Sequence, residues 1–324
     1  MSIPPVVVSA ARCGWRWQWQ RLMGGLGPAD TGGNYTRPSS DPLPPPTLNR
    51  EELLQRSPTQ RPLLVIGRSC PWAHRTWLVH QLRNLQDSVN LLVATADHNA
   101  GRWALNPAWE GCDTLLALYR HCGAPPTYRA TVPVLVDPKT RTLLGNDSAP
   151  LVELLNRWPI KGSVIDLAPP ETADRIEAWQ ALLQPAVNDG VYRCGFARNQ
   201  AAYDRAEADL FAALDTVEQS LEINGPWLCG TTLSLADVRL FPTLIRWELV
   251  YAPLFGCSRR PLWHYPNLWH WRQRLYALPG IADTCDGNAW RQDYFGALFP
   301  LNPGGIVPAG PDLSTLVNST APSG

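Results

Sequence analysis

The chain has 324 residues, longer than the ~150 that usually fill one domain, so two domains are expected. Its 28 Lys and Arg balance 28 Asp and Glu, which argues against a nucleic-acid or anionic-membrane partner held by bulk charge, local basic patches aside. No stretch approaches the ~18 uninterrupted apolar residues of a membrane helix, and "MSIPPVVVSAA" has no basic residue ahead of its short apolar run, as a secretory signal requires. A soluble, cytoplasmic protein is expected.

Residues 1–60 read as an arm. "WRWQWQ" alternates aromatic and polar residues, and Trp15, Trp17 and Trp19 are expected to pack on the folded body or a subunit interface, with membrane-surface contact as the alternative. "DTGGNYTRPSSDPLPPPT" (30–47) is turn- and polyproline-forming and has no periodicity.

Residues 61–160 change character. "LLVI" (63–66) reads as a buried strand, and a helix follows from Pro71 with Leu78, Leu82 and Leu85 on one face. "VNLLVA" (89–94) is a second strand. "TVPVLVD" (131–137) and "RTLLG" (141–145) form an antiparallel hairpin around "PKT". A helix then begins at "NDSAPLVELLN", where Asp147 or Ser148 can cap and Pro150 fits the first turn. The order β-α-β, long connection, β-β-α is that of the thioredoxin fold. Residues 161–312 read as an all-helical domain, with 313–324 as a tail. Leu210, Leu214, Val217 and Leu221 mark a core-facing helix. Ser234 and Asp237 predict a capping box, and "YPNLWHWRQRLYALPGI" predicts a helix ending at Pro279-Gly280.

The eight cysteines include no Cys-x-x-Cys pair, so neither a zinc site nor a disulfide framework is expected, and most read as buried thiols. Cys70 differs. It precedes Pro71, the first residue of a helix, so unpaired first-turn amides point at its sulfur. Such sites favour thiolate, bringing a pKa of ~8.5 down to roughly 3.5–7.5. Helix-start amides also bind anions such as a glutathione carboxylate. Ala73 stands where a dithiol enzyme has its second cysteine, so a mixed disulfide at Cys70 needs an outside thiol to clear it. Pro133 opens the strand that faces the cysteine in this fold and is expected to be cis, turning the Val132 backbone toward a peptide ligand. "NDS" offers carboxylate, hydroxyl and amides suited to a γ-glutamyl group. His74, four residues after Cys70, reads as structural rather than as its base.

"CPWAHRT" (70–76), "YRATVPVLVD" (128–137), "NDSAPLVELLN" (146–156), "VYRCGFARNQAAY" (191–203), "LSLADVRLFPTLIRWELVY" (233–251), "YPNL" (265–268) and "NPGGIVPAGP" (302–311) occur in this order over roughly 60–312. Together they resemble the glutathionyl-hydroquinone reductases, the xi-class glutathione transferases. The resemblance implies a thioredoxin-like glutathione-binding domain joined to an all-α domain, the glutathione S-transferase fold, in a homodimer. It implies glutathione as co-substrate, no metal, and quinone-derived aromatic substrates. Cys70 would attack the glutathionyl sulfur, a second glutathione would release oxidised glutathione, and Tyr192 and Tyr294 would line the aromatic pocket as proton donors. Glutathione would be held by Trp103, Arg129, Val132, Asp147 and Ser148, with Arg129 on a carboxylate. The chain departs from the family at Asp147, where Glu is usual, and at "GRWAL", where Gly-Trp-x-Phe is usual. Two other readings share the fold: an omega-like thioltransferase or dehydroascorbate reductase, and a scaffold that binds partners without turnover.

Overall fold

The computed structural model describes residues 3–318 apart from 45, 47 and 163. In chain order the first part forms α1 (Pro5–Leu26), α2 (Arg50–Gln55), β1 (Leu63–Gly67), α3 (Pro71–Leu82), β2 (Asn90–Asp97), β3 (Arg102–Trp109), β4 (Cys112–Thr114), α4 (Leu115–His121), β5 (Val134–Asp137), β6 (Thr142–Gly145) and α5 (Ser148–Asn156). Helices follow: α6 (Ala173–Leu183), α7 (Gly190–Gly195), α8 (Gln200–Asn224), α9 (Leu235–Leu244), α10 (Ala252–Phe255), α11 (Pro266–Tyr276), α12 (Gly287–Ala297) and α13 (Leu313–Asn318). The strands make one mixed sheet in the order β4-β3-β2-β1-β5-β6. A thioredoxin-like sheet thus joins a helical half, the architecture expected from the sequence.

β1 is buried at all five positions, as an unbroken apolar strand covered on both faces must be. It runs parallel to β2, with Leu64 opposite Leu91, and antiparallel to β5, with Leu64 opposite Leu135. α3 packs on β1 and α5 on one side and on α9 on the other. It is therefore buried nearly all round, and its polar residues need internal partners. The Arg75 Nε donates to the Arg239 carbonyl (3.2 Å), and Thr76 Oγ1 donates to the Ala73 carbonyl (2.7 Å). The His80 Nε2 donates to the Val89 carbonyl (2.8 Å), tying the helix back to the strand that follows it.

In the helical half, Leu210, Leu214, Val217 and Leu221 of α8 face the core. The capping box at Ser234 and Asp237 is present at the start of α9. Asp237 does more than cap. Its Oδ1 accepts from the Leu228 amide (2.9 Å) and the Trp271 Nε1 (2.8 Å), and its Oδ2 from the Ser234 amide (2.9 Å) and hydroxyl (2.8 Å). One fully buried carboxylate pins α9, α11 and the turn before α9.

Several expectations need correction. The long connection after β2 contains β3, β4 and α4. Exposed Asn106, Pro107 and Ala108 break the alternation that would mark β3 in sequence. Residues 5–26 of the expected arm form a helix. A helical repeat puts Trp15 and Trp19 on one face and Trp17 on another; Trp19 packs against the body, whereas Trp15 and Trp17 are exposed. α11 ends at Tyr276, ahead of Pro279-Gly280. In the expected tail, α13 buries Leu313 and Val317, and 319–324 lie outside the described residues. No helix of the described residues is long and apolar enough to cross a membrane.

Asp237→Ala strips four donors of a charged acceptor and is expected to lower stability by about 3 kcal/mol, against about 1 kcal/mol for Ser234→Ala. Equilibrium denaturant unfolding reads both, and near-equal losses would contradict the central role of the carboxylate.

Candidate active site

Cys70 is the N-cap of α3 and Pro71 its first residue. Its sulfur lies 3.7 Å from the Val132 carbonyl oxygen, and the Val132–Pro133 bond is cis. The Cys70 amide donates to the Gly67 carbonyl (3.0 Å). Gly67 is required by close approach: a Cβ there would lie 2.6 Å from the Trp103 ring and 2.8 Å from Val132. Trp103, on β3, and Val132 therefore close over the end of β1 beside the cysteine. Three of the residues picked from sequence meet here.

The thiol does not behave as its helix-start position alone suggests. Burial pushes it up, and the Ala73 and Trp72 amides, with the Arg246 and Arg37 guanidiniums, draw it back only in part. Desolvation outweighs the helix start, correcting the expectation of a depressed pKa.

Tyr192 and Tyr294 share a hydrogen bond of 2.6 Å between their hydroxyls, and the hydroxyl of Tyr251, for which the sequence predicts no role, lies 3.2 Å from that of Tyr294. Burial pushes all three phenols up. They form a neutral, protonated chain with Tyr294 at its centre. Trp72, two residues from Cys70, stacks on Tyr192 with centroids 5.9 Å apart, and so joins the phenols to the cysteine turn.

The arm between α1 and α2 crosses this region. Tyr35 stacks on Tyr192 (6.4 Å) and meets Phe196 edge-on (5.2 Å). The Arg37 guanidinium sits 3.5 Å above the Trp72 ring and pairs with Asp189 at 3.4 Å. Asp41 accepts from the Arg129 amide (2.7 Å), and the Ser39 carbonyl accepts from the Arg129 guanidinium (3.0 Å). Arg129 and Trp103 line one groove of about 700 Å³. Asp147 caps α5 by accepting from the Ala149 amide (3.0 Å), beside the buried Ser148. It lines a second groove of about 470 Å³ with Ser40, Asp41 and Pro42 of the arm. No sequence signal foretold Tyr35 or Arg37, because the arm has no periodicity.

All eight cysteines are free, and the described residues contain no group of three or more potential metal ligands. The profile of the glutathione S-transferase N-terminal domain matches residues 69–158, and that of the C-terminal domain matches 200–274. The glutathionyl-hydroquinone reductase YqjG of Escherichia coli is 32% identical over 299 residues, covering 87% of this chain and 90% of that protein. The chain belongs to the glutathione S-transferase family, among its glutathionyl-hydroquinone reductases. The glutathione S-transferase omega-like 2 of Schizosaccharomyces pombe is 34% identical, over 76% of this chain and 84% of that one. The glutathione-bound structure of the Escherichia coli protein superposes with a TM-score of 0.73 at 33% identity, covering 79% of this chain and 87% of that chain.

Beneath the cysteine turn of this transferase, the Nδ1 of buried His74 accepts from Arg246 Nη1 (2.9 Å), since a guanidinium can only donate. The proton therefore sits on Nε2, which donates to Thr284 Oγ1 (2.8 Å). Burial, with the Arg246 charge, holds His74 well below the usual imidazole range. It is a neutral bridge between the two halves and has no lone pair left to serve Cys70.

A neutral buried His74 takes up a proton only on unfolding. Its contribution to stability is full above the ordinary value of 6.5 and is lost as pH falls below it. The loss approaches about 1.4 kcal/mol per pH unit for one such group. Urea unfolding of wild type and His74→Gln at pH 7 and pH 5 is expected to show the shallower pH dependence in the variant. Equal dependence in both proteins would contradict the neutral assignment.

Proposed function

We propose that this protein reduces glutathionyl-hydroquinones to hydroquinones by a cycle that uses one cysteine. Cys70 thiolate attacks the glutathionyl sulfur. The electron pair of the sulfur–carbon bond passes to the ring, which takes a proton as the hydroquinone departs, and Cys70 is left in a mixed disulfide with glutathione. A second glutathione, as thiolate, attacks that disulfide, releasing oxidised glutathione and the Cys70 thiolate. The sum is glutathionyl-hydroquinone plus glutathione giving hydroquinone plus oxidised glutathione.

The observation that carries this reading is the pairing of a lone thiol at a helix start with a chain of protonated phenols 2.6 and 3.2 Å apart. Reductive loss of an aromatic group needs a proton at the ring, and neutral phenols packed among aromatic rings are suited to give it. Tyr294, bonded to both other hydroxyls, is the donor best supplied by its neighbours, and Tyr192 lies closest to the cysteine turn through Trp72. For glutathione, the Val132 backbone beside the sulfur suits the cysteinyl part, and Trp103 forms the wall above it. Arg129 would pair with a carboxylate, in competition with the Ser39 carbonyl, and Asp147 and Ser148 would take the γ-glutamyl group. Cytoplasmic action as a homodimer completes the reading.

A thioltransferase or dehydroascorbate reductase would use the same cysteine cycle without a ring to protonate, and the omega-like relatives keep it in view. Turnover of glutathionyl-hydroquinone and of dehydroascorbate, each with glutathione, separates the two. Wild type is expected to prefer the hydroquinone adduct and Cys70→Ala to lose all turnover. Tyr294→Phe is expected to lower kcat on the adduct by about 100-fold, with the rate of Cys70 alkylation unchanged. Preference for dehydroascorbate, or full activity in Tyr294→Phe, would overturn the assignment.

A further inference from the structure

A buried cation beneath the cysteine turn lacks the anion that such a group needs. Arg246 is fully buried, as are Arg272 and Arg239 nearly so. Those two have carboxylates: Arg272 with Glu248 at 2.6 Å and Arg239 with Glu153 at 2.9 Å. Arg246 pairs with no carboxylate among the described residues. Its Nη1 donates to His74 Nδ1 and to the Pro242 carbonyl (both 2.9 Å), while its Nε and Nη2 are buried without a hydrogen-bond partner. The guanidinium lies 3.9 Å over the Trp290 ring, and the Trp290 Nε1 donates to the Arg68 carbonyl (3.2 Å), two residues before Cys70. The His74 amide in turn donates to the Cys70 carbonyl (3.0 Å). Arg246 is thus held from two sides against the turn that carries the sulfur.

A buried charge without a partner is strongly unfavourable, and a protein that keeps one gains from an anion formed beside it. We propose that Arg246 is the counter-charge of the Cys70 thiolate, a positioning residue that lowers the energy of the ionised sulfur through the field beneath α3. The inference rests on Cys70 being the reacting thiol. It bears on both halves of that cycle, because Cys70 is the attacking group in one and the leaving group in the other, and a stabilised thiolate leaves faster.

The other groups around the sulfur do not supply this charge in the same way. Arg37 of the arm is shared with Asp189 and Arg68 with Asp286, His74 is neutral, and Tyr192, Tyr251 and Tyr294 are protonated. Arg75 of α3, also buried without a carboxylate among the described residues, is engaged by the Arg239 carbonyl (3.2 Å) and Gln184 Oε1 (3.1 Å). Arg246 also pulls down the thiols of Cys70 and Cys285 and the phenols of Tyr251 and Tyr294, against the rise that burial imposes on each. Of the two thiols, Cys70 is the one at a helix start, where the Ala73 and Trp72 amides add to the pull.

The test follows carbamidomethylation of Cys70 by iodoacetamide against pH, read on the Cys70 peptide by mass spectrometry, in wild type, Arg246→Lys and Arg246→Gln. No hydroquinone substrate is involved, so failure here and failure of the reductase reading are separate results. The midpoint is expected to rise by about one unit in Arg246→Gln, a tenfold slower reaction below the midpoint, and by clearly less in Arg246→Lys. A folded Arg246→Gln with the wild-type midpoint overturns the proposal. Should Arg246→Gln not fold, the ratio of iodoacetate to iodoacetamide rates at Cys70, in wild type and in Arg37→Gln, decides. A buried positive field favours the anionic reagent, so both ratios are expected to exceed that of free glutathione. A ratio in Arg37→Gln no higher than glutathione's overturns the proposal.

Discussion

Helix α3 is wedged between the sheet and the helical half, and the chemistry of the molecule takes its position from that burial. Apolar packing alone cannot hold a helix with His74, Arg75, Thr76 and His80 inside. Each of these must find a partner. Thr76 bonds back to the Ala73 carbonyl within the helix, and the other three reach different elements: Arg75 to Arg239 of α9, His74 to Thr284 before α12, and His80 to Val89 before β2. Satisfying them locks the helix in one place, and with it the sulfur of Cys70 against the Val132 carbonyl. Functional precision here follows from a structural demand, that buried polar groups be paired.

The same burial sets the electrostatics. A helix start is a good place for a thiolate, and a dry interior is a poor one. In this site desolvation wins at the thiol, while the phenols of Tyr192, Tyr251 and Tyr294 are kept protonated by the same cause. One environment therefore serves both sides of a reductive cleavage: the nucleophile needs help to ionise, and the acids are ready to give a proton. The arm adds a wall of its own, with Tyr35 on Tyr192, Arg37 on Trp72, and Ser39 and Asp41 on Arg129.

What could be read from sequence was what local rules encode. The apolar run of β1, the Cys-Pro helix start, the hairpin around Pro138 and Lys139, and the capping box at Ser234 each carry their signal within a few residues. β3 was missed because three consecutive residues of its outer half, Asn106, Pro107 and Ala108, are exposed and one of them is a proline. α1 was missed because its Trp and polar residues alternate instead of repeating at helical spacing, so the segment read as part of an arm. At the site, Cys70, Val132 and Trp103 come together as their motifs suggested, whereas Tyr251 was hidden in a motif read only for resemblance. Tyr35 and Arg37 could not have been found, since tertiary course alone brings a segment without periodicity over the tyrosines. Arg246, in the turn after α9, carries no sequence signal of its own, and its lack of a carboxylate is visible only in three dimensions.

The central claim is that one cysteine takes glutathione from an aromatic ring and holds it until a second thiol arrives. The most direct measurement mixes the protein with one equivalent of glutathionyl-hydroquinone and no free glutathione, then reads hydroquinone release alongside the mass of the intact protein and of its cysteine peptides. The account predicts one equivalent of hydroquinone and a glutathione disulfide on Cys70 that free glutathione clears. Release without a Cys70 adduct, an adduct on another cysteine, or no release by the folded protein would contradict it.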